Sequence, residues 1–285
     1  MSKYYYNKDY FSKIDTPDKA YWLGFLYADG CITRYYKNDQ LSSMSLEITL
    51  CDADRNHLQK FLDCLESNIS IRDKVTKLNG KEYKSCKVAV NCTKMCYDLI
   101  ALGCTPKKTY DLKFPSYDIV PKYLMRDFLR GFFDGDGCIS VTEMSGKPHI
   151  VLTITGMSDM LQSISDFLLS ENIIRVIPKI YDDKRSKASS LRLYGKDSNK
   201  EVLDYLYQDS IMYLDRKIKL YQEFYKDYQL IEKRGVHWHK ENQAYVVTIC
   251  INGKHERVGQ YKNLEDAIQA RKEAEIKKMN IENAH

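Results

Sequence analysis

The chain has 285 residues, 44% of them hydrophobic and 29% charged, with a formal net charge of +5. That length allows about two domains of ~150 residues and a small extra module, and the composition excludes wholesale disorder. No apolar run in it approaches the ~20 residues of a membrane span, and the polar, Tyr-rich stretch 1–13 has no apolar export segment. The nine cysteines include no CxxC pair, so they read as free thiols of an intracellular protein.

In chain order, the first feature is a segment that returns later. Tyr21-Trp22-Leu23-Gly24-Phe25-Leu26-Tyr27-Ala28-Asp29-Gly30-Cys31-Ile32 recurs 107 residues on as Phe128-Leu129-Arg130-Gly131-Phe132-Phe133-Asp134-Gly135-Asp136-Gly137-Cys138-Ile139. After each copy comes an alternating strand pattern (45–50; 150–155), then a helical pattern around Leu58, Phe61 and Leu62 or around Leu161, Ile164 and Leu168. Each is followed by a basic hairpin, with turns at Asn79-Gly80 and at 182–186, and by a short helix (93–102; 198–207). The order predicted for each copy is α-β-β-α-β-β-α, and the Pro-containing stretch 105–121 joins the two.

The basic hairpins concentrate charge in a nearly neutral chain. One carries Arg72, Lys74, Lys84 and Lys87; the other carries Arg175, Lys179 and Arg192. In a strand over 174–181, Arg175, Ile177, Lys179 and Tyr181 would share one face, and Pro178 would mark an edge or a bulge. Such ribbons suit a phosphate-bearing partner, and their width fits the major groove of duplex DNA.

Taken as helices, the repeated segments carry Gly24 and Ala28, or Gly131 and Gly135, on one face. Small residues let two helix backbones approach closely, so the two helices are expected to pair. Each then ends in an acid, Asp29 or Asp136, followed by a glycine expected to stop the helix in left-handed geometry. Two carboxylates at the negative ends of helix dipoles oppose one another without cations. They suit a divalent metal, above all Mg²⁺, which takes few carboxylates and keeps water ligands.

Residues 22–30 and 129–137 resemble the paired motifs of monomeric LAGLIDADG homing endonucleases, over about 18–228. That resemblance implies an α+β fold of two pseudo-symmetric units with saddle-shaped antiparallel sheets along the major groove. It implies Mg²⁺-dependent hydrolysis of both strands of a long DNA target. Asp29 and Asp136 would hold metal, helped by the main-chain carbonyls of Ala28 and Gly135, and Lys108 and Lys217 would be the basic residues beside the scissile phosphates. Tyr27 stands where an acid is usual and Asp134 keeps it; Trp22 and Arg130 also depart from the motif and are expected on helix surfaces. The resemblance implies a monomer in the cytoplasm of a bacterium or phage-infected cell, or in an organelle. A DNA-binding regulator without catalysis and an RNA maturase acting on intron RNA are the alternatives, and no splicing block of an intein is recognisable.

The pattern changes near residue 234. Three short strands (235–239, 244–251 and 254–261) and a helix capped by Asn263 follow, with Ala267, Ala270 and Ala274 as its packing face. This module resembles an AP2-type DNA-binding domain. By that resemblance Arg234, His237, His239, Thr248, Cys250, His255 and Arg257 would face DNA. The domains expected are thus 1–115, 116–230 and 231–285.

Overall fold

In a computed structural model that describes residues 4–78, 81–106, 112–144, 147–183, 188–226, 235–251 and 254–282, the repeat becomes two copies of one unit. Helix α1 (Pro17–Asp29) begins with a proline whose fixed φ suits a first turn and with Asp18 against the positive helix end. It runs straight into β1 (Gly30–Lys37), followed by β2 (Gln40–Cys51), α2 (Arg55–Cys64), β3 (Arg72–Leu78), β4 (Lys81–Asn91) and α3 (Thr93–Ala101). The second copy repeats the order with α4 (Met125–Asp136), β5 (Gly137–Met144), β6 (Lys147–Gly156), α5 (Ser158–Ser170), β7 (Lys179–Asp182), β8 (Ser189–Leu193) and α6 (Lys196–Tyr207). Helix α7 (Asp215–Tyr225) follows.

Both four-stranded sheets are antiparallel, ordered β1-β2-β4-β3 and β5-β6-β8-β7. Alternation divides their residues between two faces. In the first sheet Leu46, Ile48, Val88 and Val90 are buried on the face packed by helices. The opposite face presents Thr33, Ser45, Lys87 and Asn91. In the second, Leu152, Ile154 and Leu191 lie on the buried face, while Thr153, Arg192 and Lys179 share the other.

Four local readings need correction. The strand expected from 174 begins only at Lys179, because Pro178 has no N–H to join the ladder. Val176 and Ile177 are exposed before it. Trp22 and Arg130 are both buried: the indole N–H of Trp22 reaches Cys64 Sγ at 3.4 Å, and Arg130 donates to the carbonyls of Met212 (2.7 Å) and Leu206 (3.0 Å). The glycines after the motif helices are extended, with φ of −72° at Gly30 and −86° at Gly137. They are glycines for lack of room, since a Cβ would lie 2.7 Å from Leu26 O or 2.4 Å from Phe133 O. Helix α7, finally, was not anticipated.

The chain falls into two compact units, Met1–Tyr225 and Lys226–His285. The smaller holds β9 (Val236–His239), β10 (Ala244–Ile251), β11 (Lys254–Tyr261) and α8 (Leu264–Glu282), with strand order β11-β10-β9. Asn263 Oδ1 accepts from the N–H of Glu265 (2.9 Å), capping α8 as its sequence foretold. Val236, Val247 and Ala267 form its small core, flanked by Tyr245, Val258, Tyr261 and Leu264. No helix among the described residues is long and apolar enough to cross a membrane.

Candidate active site and nucleic-acid interface

The site is built where α1 and α4 touch. A Cβ on Gly24 would lie 2.0 Å from the carbonyl oxygen of Phe128, and one on Gly131 would lie 1.9 Å from that of Tyr21. A Cβ on Gly135 would meet that of Ala28 at 2.2 Å. The two backbones are therefore in direct contact, as the small-residue stripes require. At the next residue of each helix, α1 ends at Asp29 and α4 at Asp136. A carboxylate oxygen of Asp29 is 3.4 Å from where that Gly135 Cβ would stand, so the acid of the first helix sits against the end of the second.

Lys217, from α7, reaches underneath. It is 1% exposed, and its ammonium donates to the carbonyls of Phe133, Asp134 (2.7 Å) and Gly137. A cation is favourable at a helix C-terminus, where carbonyls lack partners. Burial lowers its pKa to about 8, against the opposing pull of Asp134 and Asp29. All three hydrogens are thus committed to the end of α4. The neighbouring Arg216 pairs with Asp54 (3.0 Å), and Lys60 pairs with Asp215 (2.5 Å), which fastens α7 to the first half.

Behind these groups lies Asp134, fully buried. It accepts from Tyr21 Oη (2.7 Å), Tyr207 Oη (2.5 Å) and the N–H of Leu214 (2.8 Å). Burial raises its pKa, while Lys217 and the tyrosine hydroxyls oppose that rise. Tyr21 spends its one proton on Asp134, so His57, 3.0 Å away, must donate its Nε2–H to Tyr21. His57 Nδ1 then stays bare in an apolar pocket, and burial holds the imidazole down to about 3. At the position matching Asp134 in the first copy, Tyr27 donates its hydroxyl proton to Leu102 O.

On the uncovered face of the first sheet, Arg72 is opposite Lys87, and Lys74 shares that side. Lys84 pairs with Val75 and lies on the other face. On the second sheet Arg192 and Lys179 flank the Tyr181 ring at 5.0 and 5.1 Å. Arg175 precedes the strand and approaches Glu201 at 3.8 Å instead. In the small sheet, His237 pairs with Val246, His239 with Ala244 and Thr248 with Arg257, while the backbone register sets His255 opposite Cys250. Lys108 and Arg234 lie outside the described residues.

The residues that sequence reasoning missed are tyrosines. Tyr4, Tyr6 and Tyr35 line a cleft of about 650 Å³ with Ser45, Arg72 and Asn91 on the first sheet. The Tyr-Tyr-Tyr run at 4–6 was its one visible signal.

Residues 124–207 match the sequence profile of the LAGLIDADG-like domain. The meganuclease I-SmaMI, solved bound to an uncleaveable DNA with a TTGT central four, has a TM-score of 0.50 at 13% identity, covering 75% of this chain and 89% of that one. The meganuclease I-AabMI, solved bound to uncleaved DNA, gives 0.49 at 13%, with 78% and 93% covered. A protein described as "Probable translation initiation factor IF-2" from Methanocaldococcus jannaschii is 25% identical over 180 residues. Those residues are 62% of this chain, which spans only 14% of that protein's length. The stretch from Leu124 to Tyr207 is therefore a LAGLIDADG-like domain, set in a chain with the fold of the LAGLIDADG homing endonucleases.

Proposed function

We propose that this chain is a site-specific endonuclease that hydrolyses one phosphodiester in each strand of a long duplex DNA target. The observation that carries the reading is the pair of acids: Asp29 and Asp136 are the last residues of two helices whose backbones touch, which supports a shared metal-binding role. Divalent metal fits the donors present. They are hard oxygens, two carboxylates and the carbonyls of Ala28 and Gly135, and among the described residues no three His, Cys, Asp or Glu side chains converge as a zinc site would require. Mg²⁺ bound there would supply a deprotonated water and a counter-charge for the phosphate oxygens.

The chain's own groups do the positioning. Asp29 and Asp136 would hold the metal, and Lys217 holds the C-terminal turn of α4 on which Gly135 and Asp136 stand. The uncovered sheet faces, through Arg72, Lys74 and Lys87 on one side and Lys179 and Arg192 on the other, track phosphates and base edges. The small unit reads as an AP2-like module whose exposed His237, His239 and Arg257, with the half-buried Thr248, add a tethered second contact. A monomer suffices, because both halves of the site come from one chain.

The test is incubation with a randomised duplex library in Mg²⁺ and in EDTA. Metal-dependent double-strand cuts at one recurrent site are expected. Asp29→Asn and Asp136→Asn are each expected to cut at least about 100-fold more slowly while still retarding the selected duplex in a gel. Wild-type cutting by either variant refutes the metal assignment. Removing residues 233–285 is expected to weaken binding about 10- to 100-fold with the cut position unchanged.

A further inference from the structure

Six consecutive residues, from the loop before α7 into its first turn, are tied alternately to the two halves. The carbonyl of Met212 accepts from Arg130 on α4 (2.7 Å), and that of Tyr213 accepts from Lys60 on α2 (3.1 Å). The N–H of Leu214 returns to α4, donating to Asp134 (2.8 Å). Asp215 accepts from Lys60 (2.5 Å) and Asn56 (3.2 Å) of α2, and Arg216 donates to Asp54 (3.0 Å), just before that helix. Lys217 closes the run on the carbonyls of Phe133, Asp134 (2.7 Å) and Gly137. Successive helical residues point about 100° apart, so Asp215, Arg216 and Lys217 can hold different neighbours.

The two sets of ties differ in kind. Those to the second half are buried, Arg130, Asp134 and Lys217 being 2%, 1% and 1% exposed. The side chains that reach the first half, Asp215 and Arg216, are 56% and 53% exposed. Exposed ion pairs contribute little to stability, so the fold stands without them. Position is another matter, since a misplacement of about 1 Å at a reacting centre can cost about 100-fold in rate. Each of these second-half ties falls on α4, the helix that ends in Asp136, or on Gly137 directly after it. A shift of 212–217 is therefore passed through buried contacts to the turn that carries Asp136.

We infer that 212–217 is a brace by which α2 of the first half positions the acid of the second, with Asp215 and Arg216 as positioning residues for the cut of one strand. This rests on the endonuclease reading above and deepens it. With the brace loosened, the cut served by Asp136 slows and a nicked product accumulates.

The test follows each strand separately on a plasmid carrying the selected site, with the full chain and Mg²⁺. In Asp215→Ala with Arg216→Ala, one strand is expected to be cut about tenfold more slowly and the other within about twofold of wild type. Lys60→Met, which removes the partner on α2 instead, is expected to slow the same strand. Asp215→Glu with Arg216→Lys keeps both charges and is expected to cut both strands as wild type does. Thermal melting checks that each variant folds, and gel retardation that it binds. Equal slowing of both strands, no slowing of either, slowing of opposite strands by the two loosened variants, or nicking by the charge-keeping variant overturns the brace and leaves the endonuclease reading standing. A wild-type chain that makes no cut overturns that reading, and the brace falls with it.

Discussion

The two halves solve one structural problem in two ways. Each must tie the chain that follows its last helix back to its motif helix. In the first half a neutral group does so: Tyr27, at the motif position matching Asp134, donates to Leu102 O. Gly103 leaves space for it, since a Cβ there would lie 2.3 Å from the phenol oxygen, and its φ of +97° suits glycine. In the second half Asp134 accepts from Tyr207 and Leu214, and two buried cations lie near it, Lys217 with its hydrogens on carbonyls and Arg130 donating to carbonyls and to the Asp127 carboxylate (2.5 Å). A phenol loses little on burial, whereas a buried carboxylate needs every partner kept. The neutral solution is tolerant and the ionic one is exacting.

That contrast can be broken by substitution. Asp134→Ala is expected to cost about 3–5 kcal/mol in urea unfolding, because it strands buried donors and cations. Tyr27→Phe removes one hydrogen bond and is expected to cost about 1 kcal/mol. Equal losses would show that the two halves are tied alike. Where the halves are symmetric the effects should match: Gly24→Ala and Gly131→Ala each drive a methyl into a backbone carbonyl and should each cost about 3 kcal/mol. A further effect concerns acid. His57 stays neutral in the fold down to about 3, but an unfolded histidine takes up a proton below about 6.5. The unfolded state then binds the extra proton, so stability falls with pH by about 1.4 kcal/mol per unit between those values. At pH 5 the loss is about 2 kcal/mol. His57→Phe should flatten that limb of a pH series, whatever it does at neutral pH.

Much of this was legible in the residues. The repeat at 107 residues, the small stripes and the alternating strands are local patterns, and local patterns determined both sheets and the helix contact. Of the candidate site, the two helix-ending acids Asp29 and Asp136 were legible, because they sit inside the repeated segment. The role of Lys217 was not, because a lysine under a helix end is a tertiary event between residues more than 80 apart. Arg130 was misplaced for the same reason: its partners, Met212 and Leu206, lie in a later part of the chain. Lys84 was misassigned by a single step of strand parity, since only the register decides which face a residue takes. The tyrosine cleft joins Tyr4 and Tyr6 to Tyr35 of β1 and Asn91 of β4, a meeting no motif announces.

The extended glycines carry one more consequence. Asp29 is the last residue of α1 and Gly30 the first of β1, and Asp136 and Gly137 repeat the junction with no loop between. In the proposed endonuclease, the acid that would hold metal and the strand that would contact bases are consecutive in the chain, with the crossing of Gly24 and Gly131 as a common zero mark. On that proposal the distance from a read base to a cut bond would be a count of residues along β1 or β5, like graduations on a ruler. One residue inserted after either glycine would invert every side chain beyond it, so an endonuclease of the proposed kind would tolerate exchanged graduations better than a lengthened scale.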